Sequence, residues 1–158
     1  NQQYLRKKSK FFLAIELQKI LKENKIEVED DFVQEVCEQL KERSTFLKDM
    51  WEEGRYYFIP PALYDKKIIE RKWKKQTPIF LAEFKERLSL LSDFSSENIE
   101  ILFKEYLEEN KLGMGELLPA FRISLTGIGI GPSLFDISSL LGKEECIKRM
   151  EFAINTIK

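Results

Sequence analysis

The residues of this chain that could take part in chemistry are concentrated between positions 113 and 142. A predicted amphipathic helix carries one arginine, Arg122, among apolar neighbours. Glycines follow at every second position over residues 127–131, and then comes Pro132, which can open a new helix because its missing N–H would be unpaired there anyway. A cation beside a tight turn and an exposed helix N-terminus can bind a phosphate or an unstacked base. This segment therefore predicts a site for an anion or a nucleobase.

The rest of the composition does not call for an enzyme. The 158 residues include no histidine, which removes the commonest general base and the usual partner of a nucleophilic Ser or Cys. The two cysteines, Cys37 and Cys146, form no Cys-x-x-Cys pair, so we predict buried reduced thiols and no metal site. No apolar run approaches the ~20 residues that cross a bilayer, and no signal-peptide pattern is present. We therefore expect a cytoplasmic chain that does not contact a membrane.

The distribution of charge says more than its sum. The formal net charge is −1, which argues against a protein that coats nucleic acid in general. Basic side chains nevertheless cluster in the middle of the chain, at Lys66, Lys67, Arg71, Lys72, Lys74 and Lys75. Such a stripe can bind one face of an RNA while the chain stays acidic elsewhere. A solvated helix face explains the same run equally well.

Apolar residues recur at helical spacing along most of the chain, and no stretch alternates convincingly at period two. We predict an all-α fold of about eight helices in two packed helical bundles. Two consecutive prolines at 60–61 forbid a helix, so the boundary is placed there, between an N-terminal part, residues 1–60, and a C-terminal part, residues 61–158. The aromatic residues 56–58 just before it could stack on bases or fill the gap between the bundles.

Local signals predict where individual helices begin and end. The first is expected to end near Asn24, and its apolar residues at helical spacing are Phe11, Phe12, Ile15, Ile20 and Leu21. Predicted starts are Asp30 or Asp31, Ser44, Asp65 for a basic helix through Lys75, Thr77-Pro78, Ser95 or Ser96, Gly113, Pro132 and Lys143. The glycines at 127–131 superficially resemble a dinucleotide fingerprint, but their spacing is wrong and no predicted strand precedes them. A plain corner between two helices explains these glycines but not Arg122.

The same segment resembles a known family. Residues 115–127 read Gly-Glu-Leu-Leu-Pro-Ala-Phe-Arg-Ile-Ser-Leu-Thr-Gly, residues 131–134 read Gly-Pro-Ser-Leu, and residues 140–144 read Leu-Leu-Gly-Lys-Glu. These stretches are similar to the C-terminal signature of bacterial glutamyl-tRNA synthetases. Residues 40–47 and the aromatic turn at 56–58 also resemble that family, so the resemblance spans nearly the whole chain. The family's ATP-binding His-Ile-Gly-His and Lys-Met-Ser-Lys-Ser motifs are absent.

The resemblance implies an anticodon-binding region without a catalytic domain. Its expected partner is tRNA(Glu), bound by a monomer, with no DNA, no membrane and no cofactor of its own; ATP belongs to the intact enzyme, which joins glutamate to tRNA(Glu). The implied anticodon-binding residues are Arg122, Gly131, Pro132, Ser133, Leu134 and, less directly, Arg43. A functional Arg122 is expected to project from the core. The alternative is a non-enzymatic helical protein-interaction module in which Arg122 only holds a helix turn.

Overall fold

In the computed structural model, which describes residues 8–44 and 47–158, the fold is all-helical, as predicted. These residues form nine α-helices and a single 3-10 turn, and they contain no strand. The helices are α1 (Lys10–Glu23), α2 (Asp30–Leu40), α3 (Leu47–Gly54), α4 (Lys66–Lys72), α5 (Thr77–Ser89), α6 (Ser96–Glu109), α7 (Met114–Thr126), α8 (Leu134–Leu141) and α9 (Lys143–Thr156), with the 3-10 turn at Arg55–Tyr57. Over the described ranges, no helix is long and apolar enough to cross a membrane.

Several predicted caps are confirmed by hydrogen bonds. Asp65 Oδ1 accepts from the backbone N–H groups of Lys67 and Ile68, at 2.9 and 3.2 Å, and so starts α4. Ser95 Oγ accepts from Asn98 N at 3.2 Å and starts α6. A side-chain acceptor at these positions satisfies donors that have no partner inside the helix.

One predicted cap, one predicted helix end and one predicted helix start are wrong. Helix α2 begins at Asp30, one of the two predicted starts, but neither predicted aspartate caps it: Glu29 occupies the N-cap position, with no side-chain cap. The basic helix α4 ends at Lys72, three residues early, because Trp73 adopts an extended ψ of 90°. Helix α8 begins at Leu134 and not at Pro132, since Ser133 is the residue that caps it, accepting from Asp136 N at 3.4 Å.

Contacts divide the chain into a first unit that ends at Ile59 and a second unit that begins at Pro60. In the first unit, α1 packs on α2 through Leu13, Leu17 and Leu21, all fully buried. The predicted apolar stripe of α1 is therefore largely wrong: Phe11 and Ile15 are 59% and 60% exposed. Both faces of this helix carry apolar residues, and the docking of α2 selects the one spaced at i, i+4 and i+8.

The aromatic turn belongs to the core of the first unit. Tyr56 and Tyr57 are buried and their rings stack at a centroid separation of 4.6 Å. Phe58 packs edge-on against Phe32 at 5.7 Å and stacks on Trp51 at 6.3 Å. In this arrangement the two tyrosine rings are not exposed for stacking on a base.

The second unit is organised around Phe84 of α5. Its ring meets Phe103 of α6 at 5.1 Å and Phe121 of α7 at 5.3 Å, both edge-on, and Tyr106 lies 5.8 Å away. All four residues are fully buried. Edge-to-face pairs of this kind add to the stabilisation that ring burial provides. They hold α7 in the core of the second unit at the turn that carries the next residue, Arg122.

Both cysteines are free and buried, as predicted. Burial raises the pKa of the Cys37 and Cys146 thiols to about 12. Since the unfolded thiols ionise near pH 8.5, the stability that these neutral groups contribute is full below that pH. It is lost progressively as the pH rises toward about 12.

We therefore expect the free energy of unfolding to fall between about pH 9 and pH 11, by up to about 1.4 kcal/mol per pH unit for each thiol. Urea unfolding across this range measures the change. A Cys37→Ala/Cys146→Ala variant should show a shallower decline. Equal slopes for the two proteins would contradict the assignment.

Candidate nucleic-acid interface

The site predicted from sequence begins where α7 ends, at Gly127. Its φ of +78° is in the left-handed region, and its N–H donates to Ile123 O at 2.8 Å. A β-carbon at this position would lie only 2.7 Å from Leu63 O, so the backbone approaches the preceding segment too closely for any side chain. Asp65 N donates to Gly127 O at 3.0 Å. Glycine is thus required here both by conformation and by space.

Arg122 closes the turn that follows. Its side chain is half-buried, and Nη1 donates to Pro132 O at 2.9 Å. Inside the turn, Thr126 Oγ1 lies 2.9 Å from Arg122 O and 3.0 Å from Ile128 O. The structure thus brings two of the predicted site residues, Arg122 and Pro132, into direct contact.

This contact corrects the expectation that Arg122 simply projects from the core. The guanidinium folds back and joins α7 to the residues just before α8. A hydrogen bond from a charged donor to a carbonyl stabilises such a turn, so a structural role accounts for a cation at this position. Base recognition by Arg122 stays a prediction.

The other members of the predicted set differ in exposure. Gly131 and Pro132 are half-buried, and Ser133 is exposed beside them. Leu134 is only 2% exposed and packs in the hydrophobic core of the second unit. Packing in the core is enough to explain an apolar side chain at position 134, without any ligand. Residues 131–133, in contrast, are partly or fully exposed.

Arg43 lies in the first unit, in the turn after α2, where its N–H donates to Leu40 O at 2.9 Å. The side chain is exposed. Its assignment as an anticodon reader also stays a prediction.

Sequence reasoning assigned no role to Arg149. This residue of α9 contacts the last turn of α7, next to the site. Its side chain is 3% exposed, Nε donates to Glu145 Oε2 at 2.7 Å, and Nη1 donates to Leu125 O at 2.7 Å. The guanidinium therefore donates a hydrogen bond to one of the last carbonyls of α7, two residues before Gly127. The available signal was a glutamate four residues before an arginine on the buried stripe that holds Cys146 and Met150.

Within the described residues, no cluster of potential ligands could hold a metal ion. The Arg122 turn offers hydrogen-bond donors and acceptors, a positive charge and the surface backbone of residues 131–133. These groups suit recognition of a polar, anionic partner.

Comparison with known proteins identifies the class. The family model described as an anticodon binding domain matches residues 8–154, so the chain belongs to this family. Glutamate–tRNA ligase from Phocaeicola vulgatus is 39% identical over the whole chain, and that from Flavobacterium psychrophilum is 39% identical over 99% of it. A crystal structure of a glutamate–tRNA ligase from Elizabethkingia meningosepticum, in complex with its amino acid, superposes over 100% of the chain with a TM-score of 0.93 at 37% identity.

The particular relatives are thus glutamate–tRNA ligases, and the chain is similar to their C-terminal part. It spans 31% of the length of each ligase just named. The predicted resemblance and the all-helical fold that it implied are both confirmed.

Replacement of Arg149 tests its support of the site. We expect Arg149→Met to lower the free energy of unfolding by about 2–4 kcal/mol, because it leaves Leu125 O without its donor and Glu145 without its cation. The neighbouring Lys148→Met, at an exposed position, is the matched control and should change stability by less than about 0.5 kcal/mol. Chemical denaturation measures the free energy of unfolding of both variants. Equal effects would show that the buried contacts of Arg149 do not contribute to stability.

Proposed function

We propose that this chain recognises the anticodon of tRNA(Glu), as the tRNA-binding C-terminal part of a glutamate–tRNA ligase. The observation that carries the proposal is the match of an anticodon binding domain model to residues 8–154, together with the fold shared with a glutamate–tRNA ligase over the whole chain. The ATP-dependent joining of glutamate to tRNA belongs in this proposal to the intact enzyme. The chain itself acts as a monomer that needs no cofactor and does not bind DNA.

An anticodon is a single-stranded loop whose bases can be unstacked and read on their Watson–Crick edges. The turn at 131–133 offers surface backbone and the Ser133 hydroxyl for such contacts. Arg122, held at the base of this turn by Pro132 O, has donors in a fixed fork that suits base acceptors or an adjacent phosphate.

A helical protein-interaction module is the second candidate. The Arg122–Pro132 contact favours it, because this contact explains the arginine without any RNA. The two functions differ in whether the chain distinguishes tRNAs by anticodon.

The test measures binding of the chain to a tRNA(Glu) transcript and to a transcript with a replaced anticodon. We expect tighter binding of tRNA(Glu), and we expect Arg122→Ala to remove about 1–3 kcal/mol of that binding free energy. The same substitution should lower stability by about 1–2 kcal/mol, because it removes the hydrogen bond to Pro132 O.

Thr126→Val is the matched control for that loss of stability. It removes the hydroxyl that bonds inside the same turn but keeps the guanidinium, so it should weaken folding and leave anticodon discrimination intact. Equal affinity of the unmodified chain for both transcripts would refute the proposed function. Retained discrimination in Arg122→Ala would limit Arg122 to a structural role.

Arg43 provides a test in the first unit. We expect Arg43→Gln to weaken discrimination between tRNAs that differ in one anticodon base, since an amide cannot reproduce the paired donors of a guanidinium. Stability should change by less than about 0.5 kcal/mol because the side chain is exposed. The control is Lys48→Gln, which removes another exposed cation of the same unit. Equal loss of binding to both tRNAs, or no loss, would remove Arg43 from the site.

A further inference from the structure

A groove in the second unit collects positive charge away from the Arg122 turn. It has a volume of about 790 Å³ and lies among the end of α4, the start of α5, the end of α6 and the start of α7. Its cationic lining residues are Arg71, Lys72, Lys74 and Lys75. We call this feature the basic groove.

The structure separates these four cations from the rest of the basic run. Lys66 and Lys67 are exposed on the first turn of α4 and do not line the basic groove. The helix ends at Lys72, and the extended backbone at Trp73 directs the chain away from the helix axis. Lys74 and Lys75 follow this break and line one groove together with Arg71 and Lys72.

The charge of the basic groove is not neutralised from within. Among the described residues, carboxylates pair with cations elsewhere in this unit, such as Lys85 and Arg87, but none forms an ion pair with the four groove cations. The single carboxylate in the lining is Glu116, and its Oε2 accepts from Gly113 N at 3.3 Å, at the start of α7. This carboxylate thus already has a backbone partner.

Neutral residues complete the lining, both polar and apolar; besides Gly115 they are Asn110, Gln76, Thr77, Phe80 and Leu112. Asn110 donates its amide N–H to Tyr106 O at 2.9 Å, which leaves its carbonyl oxygen as the acceptor, and Gln76 is exposed at the start of α5. A β-carbon at Gly115 would lie 3.8 Å from Lys72 Nζ, an ordinary contact distance, so the Lys72 ammonium lies close to the backbone at the start of α7. Amide oxygens can accept from ribose 2′-hydroxyls, and lysines bind phosphates as point charges.

We propose that the basic groove binds the sugar-phosphate backbone of tRNA outside the anticodon bases, without reading sequence. The proposal rests on the proposed function in taking tRNA as the partner, but it assigns a second contact with a different chemistry. Cations on flexible stems beside ribose-compatible amides suit a run of phosphates better than a base edge. Contacts of this kind position an RNA and carry no sequence information.

The test compares two double variants that remove the same charge from the same basic run. Lys74→Gln/Lys75→Gln changes the groove, and Lys66→Gln/Lys67→Gln changes the exposed first turn of α4. Binding of the 158-residue chain to a tRNA(Glu) transcript is measured at several salt concentrations, and thermal unfolding verifies that both variants fold. The same titrations are repeated with the transcript whose anticodon is replaced.

We expect the groove variant to lose about tenfold or more in affinity at low salt and to reduce the slope of log K against log salt by about 2. Its loss should be the same for both transcripts, because backbone contacts are blind to the anticodon. The control variant should change affinity less than about twofold.

Equal losses in the two variants would overturn the assignment of the groove, since general charge would then explain both. Unchanged affinity in the groove variant would overturn it as well. A chain that fails to distinguish the two transcripts but loses affinity in the groove variant refutes anticodon recognition and supports the groove. Intact discrimination with an inert groove refutes the groove and supports anticodon recognition.

Discussion

The close approach of Gly127 to the backbone at Leu63 is the constraint on which both proposed contacts depend. A β-carbon at Gly127 would lie 2.7 Å from Leu63 O, and the left-handed φ excludes most residues independently of space. Because Asp65 N donates to Gly127 O, the residue that caps α4 is fixed to the residue that ends α7. The end of α7 and the start of α4 are thus held together by this hydrogen bond.

Helix α7 links the two contacts across the second unit. Gly115 lines the basic groove near its first turn, and Arg122 closes the turn near its last. Seven residues separate them, which corresponds to about 10 Å along a helix. Phe121 packs against Phe84, and Arg149 holds Leu125 O, so this helix is restrained both at its core face and at its end. A helix restrained in this way keeps the Arg122 turn and the basic groove at a constant separation.

Sequence periodicity identified the helices well because most of them bury one regular apolar stripe. It failed on α1, where Phe11 and Ile15 are as apolar as Leu13 and Leu17, and only the position of α2 decides which pair is buried. It also extended α4 to Lys75, because a basic run has no intrinsic stop, whereas the break at Trp73 depends on that ring packing against the core. The role of Arg149 was missed for a related reason. An arginine on a buried stripe can be explained only by the carbonyl that it contacts, here Leu125 O, and the sequence does not show that contact.

The Arg122 turn and the basic groove differ in how much order they have before binding. The contact with Pro132 O restricts the Arg122 side chain, so less rotamer entropy remains to be lost in the proposed contact with a base. A structural contact and base recognition are therefore compatible in one residue, since the first reduces the cost of the second. Arg71, Lys74 and Lys75 are exposed, and among the described carboxylates none pairs with them. In the proposed contact with phosphates they lose more side-chain entropy. Phosphates along a backbone tolerate several lysine and arginine geometries, so precise preorganisation is unnecessary there.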